Sequence, residues 1–465
     1  MAEPEPAVVA PGATVAEPAA TSPTPWPELV EAACDAVATA GRWRRPRAFD
    51  ASGPRGTLVD TGRRVVSFAG NDYLGLSHHP AVVAAGAAAV QRWGAGAGAS
   101  RLVTGSRPVH HELEAALAAW KGAERAVVLP TGFAANLAVL TAFAEAGAQG
   151  GAPVRICSDE LNHASIVDGC RLARAEVCVF RHADAGHLAE LVGTAPGPVV
   201  VVTDTVFSMD GDEAPLGAIA ALCRASGALL VLDEAHAVLG PDPGPLLAGV
   251  ACVRVGTLSK TLGALGGFAA GPRRFVELLE NRGRPYIFTT APSPADAAAA
   301  LAALGVLRSD EGTALRERLA AAVARLRRGA GLPAGRAPIV PVVLGAEERA
   351  VAASEALLAE GLWVPAIRPP TVPPGTARLR VTLSADHSDD EVDRLAEQLR
   401  RLSSGTPAGQ RAGSGAGAGT PTGAGIGAGS GAGPGPGSGA AVPGAGPGAG
   451  SGAAVPGPTA VTALP

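Results

Sequence analysis

Lys260 stands in TLSKTLGALGG, between an apolar run and a string of glycines. A lysine so placed leaves a sheet edge and points into space with little side-chain bulk around it. If its amine is partly desolvated, it can form a Schiff base with a carbonyl. Asp233 and His236 lie in LVLDEAHAVLG, at the end of the preceding apolar run. An aspartate that closes a buried strand needs a cationic partner, and a protonated pyridine nitrogen would be one. A lysine for an imine and an aspartate for a pyridinium are the two protein groups that pyridoxal 5'-phosphate (PLP) requires. Read singly, Lys260 is a solvated surface lysine, Asp233 a helix cap and His236 a core histidine. Read together, they favour the cofactor.

Other residues sit at the same kind of place. In an open α/β sheet, ligands bind outside the carboxyl ends of the strands. Polar residues follow apolar runs at Thr131 to Phe133, at Asp159 with His163, from Asp204 to Asp210, and at Thr257 with Ser259. The stretch PTGFAAN links a strand to a helix, so the amides around Gly132 and Phe133 can hold a phosphate at the helix start. By itself this junction is an ordinary turn. His163, in SDELNHAS, suits either a ring that lies on the cofactor or a turn histidine.

The elements that must position these residues alternate along the chain. Strands are expected in RAVVLP (125–130), VRICSD (154–159), PVVVVTD (198–204), ALLVLDE (228–234) and CVRVGTL (252–258). Each is a short continuous apolar run, as buried strands are. Helices are expected at Pro108 to Trp120, Ala134 to Phe143, Pro215 to Ser226 and Pro294 to Leu307. This alternation points to an α/β sheet covered on both faces. After about Gly312 the pattern changes. The amphipathic ALRERLAAAVARLRRG, then APIVPVVLG, ARLRVTLSA and DDEVDRLAEQLRRL, read as a smaller α+β domain.

Composition sets the outer limits. The chain has 465 residues, 47% of them hydrophobic but only 3% aromatic, so Ala, Val and Leu must do most of the packing. With 38 basic and 42 acidic residues the net charge is -4, which gives no electrostatic reason to expect nucleic acid. The six cysteines are scattered without a CxxC, so neither a disulfide framework nor a metal site is expected. The opening MAEPEPAVVA lacks the basic and apolar regions of a secretory signal. No stretch suits a membrane span, and a cytoplasmic location is expected. The 62 glycines and 40 prolines reflect the two ends. Residues 1–27 and 403–465 have little to bury and are expected to be disordered.

Together the motifs resemble the α-oxoamine synthase family of fold-type-I PLP enzymes. The stretches that carry the resemblance are NDYLGLSHHP, GASRLVTGSRPVHHELE, LPTGFAANLAVL, DELNHASIVDG, TDTVFSMDGDEAPL, LVLDEAHAVLG, TLSKTLGALGG, YIFTTAPSP and AIRPPTVPPGTARLRVTLSADHSDDEV. They span residues 28–402 in the family's order. The resemblance implies an N-terminal segment (28–70), a large PLP-binding domain (71–311) and a small C-terminal domain (312–402). The large domain would hold a mixed, mostly parallel seven-stranded sheet. It also implies roles. Lys260 would carry PLP, Asp233 would pair with the pyridine nitrogen, and His163 would stack on the ring. His236 and Ser208 would bond the ring oxygen. Gly132, Phe133 and Thr257 would hold the phosphate, with Thr289 and Thr290 reaching the phosphate of the partner subunit in a homodimer. Asn71 and Asp204 would sit near the substrate, and Arg368 would clamp the amino-acid carboxylate. Arg45, with Arg44 beside it, would face a distal acyl carboxylate. Asp204 stands where the family usually has Glu, and WGAGAGAS has alanine where relatives often have small polar residues.

Around IRPPTVPPGTARLR the chain is most similar to the biotin-pathway branch. That implies L-alanine and pimeloyl-CoA or pimeloyl-acyl carrier protein as substrates. A sister branch would join glycine or serine to another acyl thioester. An aminotransferase or lyase would share Lys260 and Asp233 without needing a thioester channel. A non-enzymatic regulator of the same fold would not need Lys260, Asp233, His236 and Arg368 together. A dinucleotide-binding fold is excluded by the lack of GxGxxG after the first strand.

Overall fold

The computed structural model describes residues 26–404. Residues 1–25 and 405–465, which carry most of the expected disorder, lie outside the described residues. The first helix, Trp26–Thr39, and the last, Asp389–Ser404, each reach slightly into the segments 1–27 and 403–465 expected to be disordered.

Three sheets organise the described residues. Strands β1 (Phe49–Ser52), β2 (Arg55–Leu58) and β3 (Arg63–Ser67) form an antiparallel meander. The central sheet takes β4 (Arg125–Leu129), β5 (Arg155–Asp159), β6 (Glu176–Phe180), β7 (Val199–Asp204), β8 (Leu229–Asp233), β9 (Cys252–Thr257) and β10 (Gly267–Gly271). Its order is β4-β10-β9-β8-β7-β5-β6. β10 alone runs against the direction of the other six strands. Of the later strands β11 (Ile339–Gly345), β12 (Leu362–Trp363), β13 (Ala366–Ile367) and β14 (Ala377–Thr382), β12 extends the first sheet beside β3. The other three make a small antiparallel sheet.

The central strands are buried on both faces, which is why they read as unbroken apolar runs. In β7, Val200 and Val202 pack against Val139 and Leu140 of the helix Gly132–Ala148. Val201 turns the other way, toward Ile219 and Cys223 of the helix Leu216–Ser226. The five expected central strands form, each one or two residues shorter than expected. Two more, β6 and β10, had no clear sequence signal. β6 is an edge strand with exposed Val177 and Val179. β10 is Gly-Phe-Ala-Ala-Gly, poor in the residues that favour strands. The helix Asp310–Ala330 runs unbroken through the expected boundary between residues 311 and 312.

Parallel pairing brings the strand ends level. Asp204 is in register with Asp233, and Asp233 with Val255. The carboxyl edge of the sheet therefore gathers Asp204, Asp233 and the turn after β9 that holds Lys260.

Candidate active site

β8 ends at Asp233, which is buried. Its Oδ1 accepts from the amide of Ala235 at 2.8 Å, and its Oδ2 from Asn136 Nδ2 at 2.7 Å. Asn136 lies one turn inside the helix Gly132–Ala148 and also donates to Ser165 Oγ at 2.9 Å. Its own Oδ1 is buried with no partner among the described residues. Asp204 takes the amide of His163 at 2.9 Å. Burial and the charge of Asp233 push the Asp204 carboxyl well above the usual carboxylate range.

Lys260 follows β9 in a tight turn that returns into β10, closed by the Gly263 amide on the Lys260 carbonyl at 3.0 Å. Its Nζ is 2.9 Å from His236 Nε2. Loss of water lowers the pKa of its amine, an effect that Asp233 and Asp204 oppose and Arg380 strengthens. An amine poised in this way is closer to a nucleophile and a base than a surface lysine is. His236 is buried, and its other ring nitrogen lies 2.6 Å from the Tyr73 hydroxyl. Burial, together with the nearby Lys260 and Arg380 cations, pushes the imidazole well below its usual pKa.

A second edge of the site begins at the helix Gly132–Ala148. Thr131 Oγ1 accepts from the amide of Ala134 at 3.0 Å, a side-chain cap. The amides of Gly132 and Phe133 precede that capped amide and have no acceptor among the described residues. A Cβ on Gly132 would come 3.1 Å from Thr257 Cβ. The glycine therefore lets the helix start press on β9 beside the Thr257 hydroxyl. That hydroxyl is 2.7 Å from Ser259 Oγ and bonds the Gly266 carbonyl at 3.0 Å. Free amides at a helix start, flanked by hydroxyls, form an anion cradle. A cradle, an amine and an acid at adjacent strand ends fit PLP: its phosphate, its aldehyde and its ring nitrogen.

His163 is solvent-accessible. Its Nδ1 faces Ser165 Oγ at 2.8 Å, and its ring meets Phe133 edge-on at 6.5 Å. Ser208 is drawn in through its carbonyl, which accepts from Arg380 Nε at 2.6 Å. Asn71 Oδ1 takes the Tyr73 hydroxyl at 3.3 Å and Arg380 Nη2 at 3.2 Å.

Five expected residues stand apart from this cluster. Arg368 donates to the Gly41 carbonyl at 3.0 Å and lies 4.0 Å from Glu347. Arg45 and Arg44 are exposed on the coil after the first helix. Thr289 and Thr290 are exposed too, with Thr290 bridged to Ser100. In turn, the structure adds Tyr73, Asn136, Ser165 and Arg380. Arg380 is buried in β14 and has no carboxylate partner among the described residues, whereas its neighbour Arg378 pairs with Asp210. Burial lowers the Arg380 pKa. The signal for it was present in ARLRV, where arginines alternate with apolar residues in a strand that must be buried.

The family model for aminotransferase class I and II matches residues 63–399. The 8-amino-7-oxononanoate synthase of Anaeromyxobacter dehalogenans is 48% identical over 381 residues, covering 78% of this chain and 94% of that protein. The synthase of the same name from a Methylobacterium species is 47% identical over 372 residues, covering 77% and 94%. Among solved structures, a serine palmitoyltransferase variant from S. paucimobilis with a bound PLP–myriocin aldimine superposes with a TM-score of 0.74. It is 29% identical and covers 81% of this chain and 97% of that one.

Proposed function

The chain belongs to the class I and II aminotransferase family as a PLP-dependent acyltransferase, and from that premise we propose that it condenses L-alanine with a pimeloyl thioester, on coenzyme A or acyl carrier protein. The products would be 8-amino-7-oxononanoate, a free thiol and carbon dioxide, a step of biotin biosynthesis. The observation that carries the reading is the buried Arg380 guanidinium without a carboxylate, close enough to lower the Lys260 pKa. An amino acid's carboxylate answers that charge, and its amino group then faces Lys260. The names of relatives at 47–48% identity support the choice of alanine and pimeloyl.

Bound PLP supplies an electron sink for the charge that develops at the amino acid's Cα. The chain's residues do the rest. The Gly132 and Phe133 amides and Thr257 hold the phosphate. Asp233, fixed by Asn136 and the Ala235 amide, keeps a proton on the ring nitrogen. Lys260 Nζ, once free, takes the Cα proton. Arg380 fixes the α-carboxylate during condensation and must release it before carbon dioxide departs. The ammonium that Lys260 becomes returns a proton to Cα, with the exposed His163 beside it. Arg368 closes over the carboxylate from the 366–376 segment, and Arg45 or Arg44 meets the distal carboxylate. Thr289 and Thr290, exposed in one copy, serve the partner's phosphate in a homodimer. No helix among the described residues is long and apolar enough to cross a membrane. The water-soluble substrates named above put the proposed reaction in the cytoplasm.

A sister reaction, serine or glycine with another acyl thioester, is favoured by the serine palmitoyltransferase neighbours. Thiol release by the PLP-loaded protein tests both. L-alanine, glycine and L-serine would be crossed with pimeloyl, acetyl, succinyl and palmitoyl thioesters. Release confined to L-alanine with pimeloyl is expected, and release confined to another pair moves the chain to the sister reaction. Lys260→Ala should lose turnover and the visible absorption of the loaded protein. Full activity in that variant ends the proposal.

A further inference from the structure

His236 has one ring nitrogen 2.9 Å from Lys260 Nζ and the other 2.6 Å from the Tyr73 hydroxyl. Tyr73 is fully buried and His236 nearly so, so water does not take either role. Beyond Tyr73, Asn71 Oδ1 lies at 3.3 Å and also receives Arg380 Nη2. The chain of contacts therefore runs from Lys260 through His236 and Tyr73 to Asn71 and Arg380.

We infer that Tyr73 is a positioning residue that sets which nitrogen of His236 carries the ring proton, and hence whether Nε2 accepts or donates beside Lys260. A neutral imidazole has one N–H and one lone pair, while a hydroxyl can both donate and accept. Burial and the neighbouring cations keep the imidazole neutral, and burial keeps the phenol protonated. Two arrangements satisfy every group. With Lys260 as an ammonium, Nε2 accepts from it. Nδ1–H then donates to Tyr73, and Tyr73 donates to Asn71. With an anionic oxygen of the cofactor ring at Nε2, that nitrogen must donate instead. Tyr73 then donates to Nδ1, and Asn71 Oδ1 keeps its Arg380 donor. Each arrangement holds one ring proton and one phenol proton. A side chain that only donates, or only accepts, would fit just one of them.

The inference rests on PLP occupying this site and deepens that reading. Its test is the visible absorption of the PLP-loaded protein against pH, in wild type and in Tyr73→Phe. Loss of the hydroxyl leaves Nδ1 without a partner and weakens the donor at Nε2. An oxygen that loses its donor holds a neighbouring proton more tightly, so the midpoint should rise by about one pH unit, a tenfold change in proton affinity. The kcat should fall roughly tenfold while the KM for the amino acid stays within about twofold, as loss of one hydrogen bond felt in the chemistry predicts. Added to His236→Asn, Tyr73→Phe should change neither quantity further, because it acts through that ring. An unmoved midpoint in Tyr73→Phe, or additive effects in the double variant, overturns the inference. A second measurement needs no variant. With Lys260 free, imidazole nitrogen NMR of wild type should place the His236 proton on Nδ1, and a proton on Nε2 overturns the inference. A wild-type protein with PLP but no visible band fails the cofactor reading and the inference with it. A band without thiol release fails only the substrate reading, and the midpoint still decides Tyr73.

Discussion

Two arginines of one strand meet opposite surroundings. Arg378 is neutralised by Asp210, while Arg380 is held by a carbonyl, an amide oxygen and the Tyr73 hydroxyl, with no carboxylate among the described residues. Burying a cation without a carboxylate is costly unless something else compensates it. Under the proposed reaction a substrate carboxylate would compensate it, met by the bidentate fork that lysine lacks. Arg380→Lys should raise the KM for the amino acid roughly 10–100-fold, the worth of a charged hydrogen bond. Arg368→Lys, whose parent side chain rests on Gly41 and Glu347, should raise it less. Steady-state kinetics with a thermal melt as the folding control checks both, and a larger effect at Arg368 reverses the assignment.

Among the elements, β10 is the one that closes the site. It lies between β4 and β9 and runs against both. Its first residue, Gly267, faces Leu129 on one side and Thr257 on the other. A Cβ there would fall 2.3 Å from the Thr131 carbonyl oxygen and 2.4 Å from the Gly132 amide nitrogen. Those are backbone atoms of the proposed phosphate cradle, which cannot swing aside. Gly267→Ala should therefore cost about 1–3 kcal/mol of stability, as overpacking does. It should also weaken PLP binding, because the helix start is what must move. Calorimetry and a PLP titration read the two effects. Unchanged affinity with a normal melt would show that the cradle does not depend on this contact.

Across the whole molecule, His182 ties three strand ends together. Its Nδ1 is 3.0 Å from Asp159 at the end of β5, and its Nε2 is 2.6 Å from Asp212 beyond β7. His182 itself comes just after β6, and its ring stands edge-on to Phe207. The two carboxylates raise the His182 pKa from 6.5 to about 10. A raised folded-state pKa gives stability that is complete below the unfolded value and disappears as pH climbs through the folded one. Relative to His182→Asn, wild type should melt about 2–4 °C higher near pH 6.5. That gap should close as the pH approaches 10. A gap that stays constant with pH would mean that the charge of His182 contributes nothing.

The alternating strands and helices, the PLP chemistry and the grouping of Lys260, Asp233 and His236 at one sheet edge were legible in the amino-acid pattern. The reason is local: an apolar run that ends in a polar residue marks a buried strand and its carboxyl edge. That pattern could not assign β6 or β10, because exposed valines at an edge and a Gly-Ala strand carry no distinct period. Nor could it single out Tyr73, Asn136 or Arg380. Each comes from a different part of the chain, and its meaning depends on what it meets across space. Periodicity tells which way a side chain points, and only packing tells what stands opposite. Tertiary structure therefore decided that Tyr73 backs His236, that Asn136 fixes Asp233, and that Arg380 rather than Arg368 lies against the Lys260 cluster.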